Sequence, residues 1–148
     1  MIWVVNANST ICRIYNYSKK PSQLVLLKEL LHPESRIKAS VDLTSDKPGH
    51  YQTQHSSHGS YGAHTDPHAV EIDKFSRQIA VELEHGRTQG LYKQLILISP
   101  AHMNGNLGLH LNKHVKELVT HHLHKDLLNI NENDLLDFIH SNTRYPEK

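Results

Sequence analysis

Apolar side chains gather first in short runs of β type. Met1 to Asn6 and Thr10 to Tyr17 are rich in Ile, Val, Trp and Tyr and flank Ala7-Asn8-Ser9, a composition that predicts two antiparallel strands joined by a turn. Lys19-Lys20-Pro21-Ser22 breaks the chain again. Gln23 to His32 then supplies Leu24, Val25, Leu26, Leu27, Leu30 and Leu31 before Pro33. A helix competes for this run, but the meander in front of it favours a third strand.

From Thr44 to His68 the pattern stops: the segment holds five His, three Gly and two Pro, with Tyr51, Tyr61 and Ala63 as its only apolar members, so it builds no core. A loop of that length in a small domain is uncommon and usually has a task or stays unfolded. Periodicity returns at Asp66-Pro67, a helix cap followed by a proline suited to the first helical position. Ile72, Phe75, Ile79 and Leu83 mark one helix face, with Gly86 or Gly90 placed to end it. Gln94 to Ser99, stopped by Pro100, reads as a strand buried on both faces and central to the sheet. Met103 to His114 predicts a second helix weakened by Gly105 and Gly108, Val119 to Leu127 the last strand, and Asn131 the cap of a closing helix through Leu135, Leu136, Phe138 and Ile139. The expected order is βββ, long loop, αβαβα: one α/β domain over residues 1–140, a mixed five-stranded sheet with three helices, a His-rich loop at 44–68 and a polar tail at 141–148.

Length agrees with a single domain, since 148 residues fall within the roughly 100–200 expected of one. Lys+Arg 16 against Asp+Glu 15 leave a formal charge of +1, so bulk charge nominates neither nucleic acid nor membrane. The single cysteine, Cys12, excludes an intramolecular disulfide framework and an all-Cys metal site. The first residues read as a strand rather than a signal peptide, and no apolar run is long enough to cross a bilayer. A cytoplasmic protein without membrane insertion is expected. Histidine, at 14 residues, is the abundant titratable group, and its charge would rise steeply below neutral pH.

The element order is that of a ribonuclease H-like fold, but nuclease chemistry needs clustered carboxylates to hold its metal ions. The first strand contains no Asp or Glu, and Glu117 and Asp126 have no evident partner on the first strands. Two histidine pairs have ligand-like spacing: His110 and His114 four apart on one expected helix face, and His122 and His124 two apart on one strand face. The first pair lacks the Glu of the zinc-protease helix motif, so these are weak metal candidates. No cofactor is called for. Cys12, on an inner strand, reads as a packing residue. Ser56, Ser57 and Ser60 lie among histidines with nothing to fix a base, and His58-Gly59-Ser60-Tyr61-Gly62 lacks the strand and helix that frame a phosphate cradle.

The opening Trp3-Val4-Val5, Ser45-Asp46-Lys47-Pro48-Gly49, Thr65-Asp66-Pro67-His68, the Phe75-bearing helix, Leu95–Ser99-Pro100 and Lys125-Asp126-Leu127, taken in order, resemble the bacterial host-attachment protein family over roughly residues 2–140. That family is similar to the middle domain of archaeal and eukaryotic peptide-chain release factors, which implies a ribonuclease H-like α/β fold and a ribosome or tRNA connection. The release-factor loop carries a Gly-Gly-Gln tripeptide at the place of Thr44 to His68. Here no such tripeptide occurs: Gln52 and Gln54 lack flanking glycine pairs, so peptidyl-tRNA hydrolysis is not carried over. The resemblance extends to Asp46, Pro48 and Gly49 in the loop and to Asp66 and Pro67 at the helix start.

The resulting expectation is a non-enzymatic domain that meets an RNA-containing or protein partner through Arg36, Lys38, Asp46, Lys47, Pro48, Gly49, His58, Gly59, Tyr61 and Gly62. Two alternatives stand beside it. One is a hydrolase using loop histidines with or without metal, and the other is an oligomer formed through an open edge of the sheet.

Overall fold

The computed structural model describes residues 1–32 and 67–143. Three antiparallel strands open the chain: β1 (Ile2–Ala7), β2 (Ile11–Lys19) and β3 (Ser22–Leu31). Asn8 shapes the first turn. Its Oδ1 accepts from the backbone N–H of Thr10 at 2.9 Å and of Ile11 at 3.0 Å, the local bond that makes asparagine a turn residue. The second turn passes through a cis Lys20–Pro21 peptide.

After α1 (Pro67–Thr88) come β4 (Gln94–Ile98), α2 (Ala101–His110), α3 (Lys113–Leu118), β5 (Val119–Leu123) and α4 (Glu132–Asn142). β4 lies parallel to β1, and β5 parallel to β4, so the sheet runs β3-β2-β1-β4-β5. This is an α/β protein with a mixed five-stranded sheet and four helices among the described residues.

Strand alternation divides the core in two. Trp3, Val5, Ala7, Cys12, Ile14, Leu95 and Leu97 face α1, α2 and α3, which supply Ile72, Phe75, Ile79, Leu83, Met103, Leu107 and Val115. Val4, Tyr15, Tyr17, Ile96 and Ile98 face the opposite way and are covered by Leu135 and Ile139 of α4. β4 is buried from Leu95 to Ile98, as its unbroken apolar run requires. No helix among the described residues is long and apolar enough to cross a membrane.

The end of α1 settles the choice between two glycines. Gly90 adopts φ 69°, its N–H donates to Arg87 O at 3.0 Å, and the Leu91 N–H reaches Gly86 O at 2.9 Å. This crossed pair is the Schellman cap, in which glycine takes the left-handed position without strain. Gly86 stays inside the helix, packed against Trp3.

Two elements differ from expectation. The predicted helix from Met103 to His114 is two helices, because Leu111 takes an extended backbone (φ −71°, ψ 130°) and Asn112 starts a new helix by accepting from Val115 N–H at 2.9 Å. This makes four helices where three were expected. The last strand stops at Leu123 rather than Leu127. Its neighbour β4 ends at Ile98, and Ser99 N–H donating to Leu123 O at 3.1 Å is the final link, so residues 124–127 have no strand to pair with. Pro67 begins α1 as expected, and His68, assigned to the loop, is helical. The remainder of the expected loop, Asp66 included, lies outside the described residues, as does the tail from residue 144.

Candidate functional site

In open α/β sheets the carboxyl ends of parallel strands are the usual place for a ligand, because the strands stop there and loops diverge around a crevice. At this end Ser99 follows β4, His122 lies near the end of β5, His124 just beyond it, and Asn104 projects from the first turns of α2. The parallel register sets Leu97 beside His122, so His122 lies on the face that α2 covers.

These four side chains form one hydrogen-bonded group. Ser99 Oγ donates to Asn104 Oδ1 at 2.5 Å, and His122 Nε2 meets the same oxygen at 2.7 Å. The other end of the amide, Nδ2, contacts His124 Nδ1. The two imidazoles stack with centroids 4.7 Å apart and planes 20° from parallel. With the amide oriented this way, His122 donates from Nε2 and His124 accepts at Nδ1, which fixes both tautomers. Burial, with the nearby His124 adding to it, pushes the proton affinity of His122 below the ordinary histidine value. Ser99 is fully buried, and its separation from His122 Nε2 is 3.5 Å.

A cleft of about 520 Å³ opens beside this group, with Leu97, Leu111 and Val119 among its apolar lining and Asn104, Lys116, His122 and His124 as its polar lining. That volume lies in the range of small-ligand sites. Gly105 and Gly108 line it as well, and a Cβ at either position would meet nothing within 4 Å. The glycines noted from sequence as weakening this helix therefore leave part of the cleft open. No carboxylate among the described residues lines it.

At the end of β1, Asn6 is buried with Nδ2 donating to Leu127 O at 3.3 Å and Oδ1 without a partner. Asn8 Nδ2 donates to Asp126 Oδ1 at 3.4 Å, so Asp126 does have a partner beside the first strands. That partner is an amide, and no carboxylate pair forms there among the described residues.

Of the sequence-nominated residues, Arg36, Lys38, Asp46, Lys47, Pro48, Gly49, His58, Gly59, Tyr61 and Gly62 lie outside the described residues, together with Ser56, Ser57 and Ser60. His110 and His114 do not share a helix face. The break at Leu111 puts them on different helices, and His110 Nε2 meets Asp73 Oδ1 of α1 at 2.6 Å. His122 and His124 stack on each other, but His124 lies beyond the end of β5, so the two do not share the strand face that their spacing suggested. No group of three or more His, Cys, Asp or Glu able to hold a metal ion occurs among the described residues. Cys12 is a buried packing residue as expected, and burial, with Glu82 contributing less, pushes its thiol pKa far up. Sequence reasoning missed Ser99, Asn104 and Lys116. The available signal was a polar residue just after a fully apolar strand, followed by a helix rich in Asn and Gly.

A family model described as "Protein required for attachment to host cells" matches residues 3–139. No curated protein matches the chain.

Proposed function

Because the chain belongs to the family of proteins required for attachment to host cells, we propose that it serves attachment indirectly, as a non-catalytic cytoplasmic domain that engages ribosomal or transfer RNA. The observation that carries this reading is the lining of the cleft beside α2: Lys116, His122, His124 and Asn104, with Leu97, Leu111 and Val119 as apolar lining and no carboxylate among the described residues. Such a surface suits a polyanion whose bases can enter an apolar recess while phosphates stay near a lysine. The strand order, with β2 antiparallel to β1 and β4 parallel to it, supports the ribonuclease H-like, release-factor-type fold that the resemblance implies. Arg36, Lys38 and Lys47 extend the same reading along the sequence as further phosphate contacts.

The geometry does not prepare Ser99 as a nucleophile: it gives its proton to an amide oxygen rather than to His122, no carboxylate among the described residues orients either imidazole, and burial keeps substrate from the hydroxyl. The hydrolase alternative rests on loop histidines that lie outside the described residues. The test is sedimentation of untagged protein with ribosomes at low and high salt. Phosphate contacts predict comigration that salt disrupts; absence from the ribosomal fractions in both conditions, with no salt-sensitive binding of transfer RNA, would remove the RNA reading.

A second reading, self-association, is favoured by β3. This strand exposes Val25 47%, Leu26 46% and Leu27 48%, an apolar run on an edge that no other strand among the described residues pairs. Light scattering across a concentration series tests it. A dimer that L26K converts to monomer would support pairing through β3, and a monomer at every concentration would end that reading.

A further inference from the structure

We propose that the cleft beside α2 takes one unpaired nucleotide, its base stacked on the imidazole pair of His122 and His124 and its phosphate held by Lys116. This inference rests on the RNA reading and narrows it to the unit that the cleft accepts. A recess of about 520 Å³ has the volume of a site for one small ligand and does not hold a base-paired stretch. Single-stranded RNA is recognised in this way, through bases that leave their own stack and settle on planar side chains, histidine included.

Hydrogen bonding inside the group decides what the cleft offers to a ligand. Asn104 Oδ1 uses both lone pairs, on Ser99 Oγ and His122 Nε2, and Nδ2 gives one of its two hydrogens to His124 Nδ1. What remains is a set of donors: the second Nδ2 hydrogen, the Nε2 hydrogen of His124, and the ammonium of exposed Lys116, which takes part in no ion pair among the described residues. Against them stands one imidazole acceptor, Nδ1 of the half-buried His122. With no carboxylate among the described residues of the lining, the cleft suits a ligand that is anionic and rich in acceptors, as a phosphoryl group is.

The walls define the rest of the ligand. Leu97, Leu111 and Val119 supply aliphatic surface, and the exposed ring of His124 belongs to a stack, with planes 20° apart, onto which a planar base can add. Gly105 and Gly108 keep this volume clear, since a Cβ at either position would meet nothing within 4 Å. An aliphatic anion would satisfy Lys116 and leave the imidazole faces unused; a nucleoside phosphate engages both. That chemistry is common to a free nucleotide and to a nucleotide within a strand, and the test separates the two.

The test titrates the untagged full chain, free of ribosomes, with adenosine 5′-monophosphate, adenosine and a single-stranded adenosine hexanucleotide, followed by calorimetry. The monophosphate is expected to bind once per chain, and adenosine about tenfold more weakly for want of the charged hydrogen bonds. K116E and H124A each weaken the monophosphate by about tenfold or more, H124A through loss of one base–aromatic stack, and H124F, which keeps a ring, binds more tightly than H124A. G105L places a side chain in the open volume and abolishes binding, while its better helix propensity keeps the unfolding midpoint at or above that of wild type, so loss of fold cannot explain the result. A hexanucleotide bound at least tenfold more tightly than the monophosphate assigns the cleft to a strand, and affinities closer than that assign it to a free nucleotide. No saturable uptake of either probe, or undiminished affinity in K116E, H124A and G105L, overturns the site. Comigration with ribosomes in that case leaves the RNA reading standing without this site, and nucleotide uptake without ribosome or transfer RNA binding does the reverse.

Discussion

Gly86 lies so close beneath Trp3 that a Cβ at position 86 would stand 2.5 Å from the indole Cη2 and 2.7 Å from Cζ3. Trp3 in turn stacks on Tyr92 with centroids 4.7 Å apart, and Tyr92 Oη donates to Leu83 O at 2.7 Å. The helix, its Schellman cap and the first strand are therefore fixed through one glycine. Substitution G86A gains helix propensity but forces the ring or the helix to move. Overpacking of this kind costs about 1–3 kcal/mol. Trp3 is the only tryptophan, so its fluorescence reports both the unfolding midpoint and the altered packing in the same titration. A G86A protein as stable as wild type, with an unchanged native emission spectrum, would contradict the packing account.

Gly105 and Gly108 predict the reverse. A Cβ there meets nothing, and alanine is the better helix former by roughly 0.5–1 kcal/mol per site. G105A and G108A are expected to raise the denaturation midpoint while narrowing the cleft. Weaker ribosome association in a more stable protein would link the cleft to binding, since loss of fold cannot explain it.

Cys12 is expected to be unreactive in the native state. Its thiol is buried on the inner face of β2, and burial raises its pKa, so the thiolate that reacts is scarce. An aromatic disulfide reagent should label it only in denaturant, at the rate of global unfolding. Labelling within seconds under native conditions would show that β2 opens locally.

Acid sensitivity has a specific contributor in Glu84. Hydrogen bonds from Arg87 and then Asn112 lower its pKa from 4.5 to about 2. The folded state thus binds this proton less readily than the unfolded chain does. Its contribution is fully present above pH 4.5 and is lost as pH falls toward 2. The stability difference between wild type and E84Q should be constant near neutral pH and shrink across that window. A difference independent of pH from 6 to 2 would contradict the assignment. Asp73, lowered chiefly by its hydrogen bond to His110, acts in the same direction.

The sheet was largely legible in the sequence because its cues are local. The Ile-, Val- and aromatic-rich runs of β1 and β2, the Asn8 turn and the unbroken apolar run of β4 each depend on neighbours in the chain. The break at Leu111 was not legible, since Asn112 is both an ordinary helix-surface residue and a helix cap, and only the backbone at Leu111 decides between them. The end of β5 was hidden for another reason. Nothing in Val119 to Leu127 itself marks where β4 stops offering hydrogen bonds. The cleft was half legible: the His122 and His124 spacing pointed to it, but the polar centre, Asn104, comes from a helix 18 residues earlier than His122 and is joined to it by tertiary packing alone.

The central claim, that the cleft engages RNA without catalysing a reaction on it, is tested most directly by sedimentation of untagged wild type and K116E with ribosomes through sucrose at low and high salt. Lys116 is exposed at the rim of the cleft, and its reversal leaves the hydrogen-bonded group of Ser99, Asn104 and His122 intact. The account predicts that wild type comigrates with ribosomal particles at low salt and is released at high salt, and that K116E stays at the top of the gradient in both. Wild type at the top in both conditions, or K116E comigrating as wild type does, would contradict it.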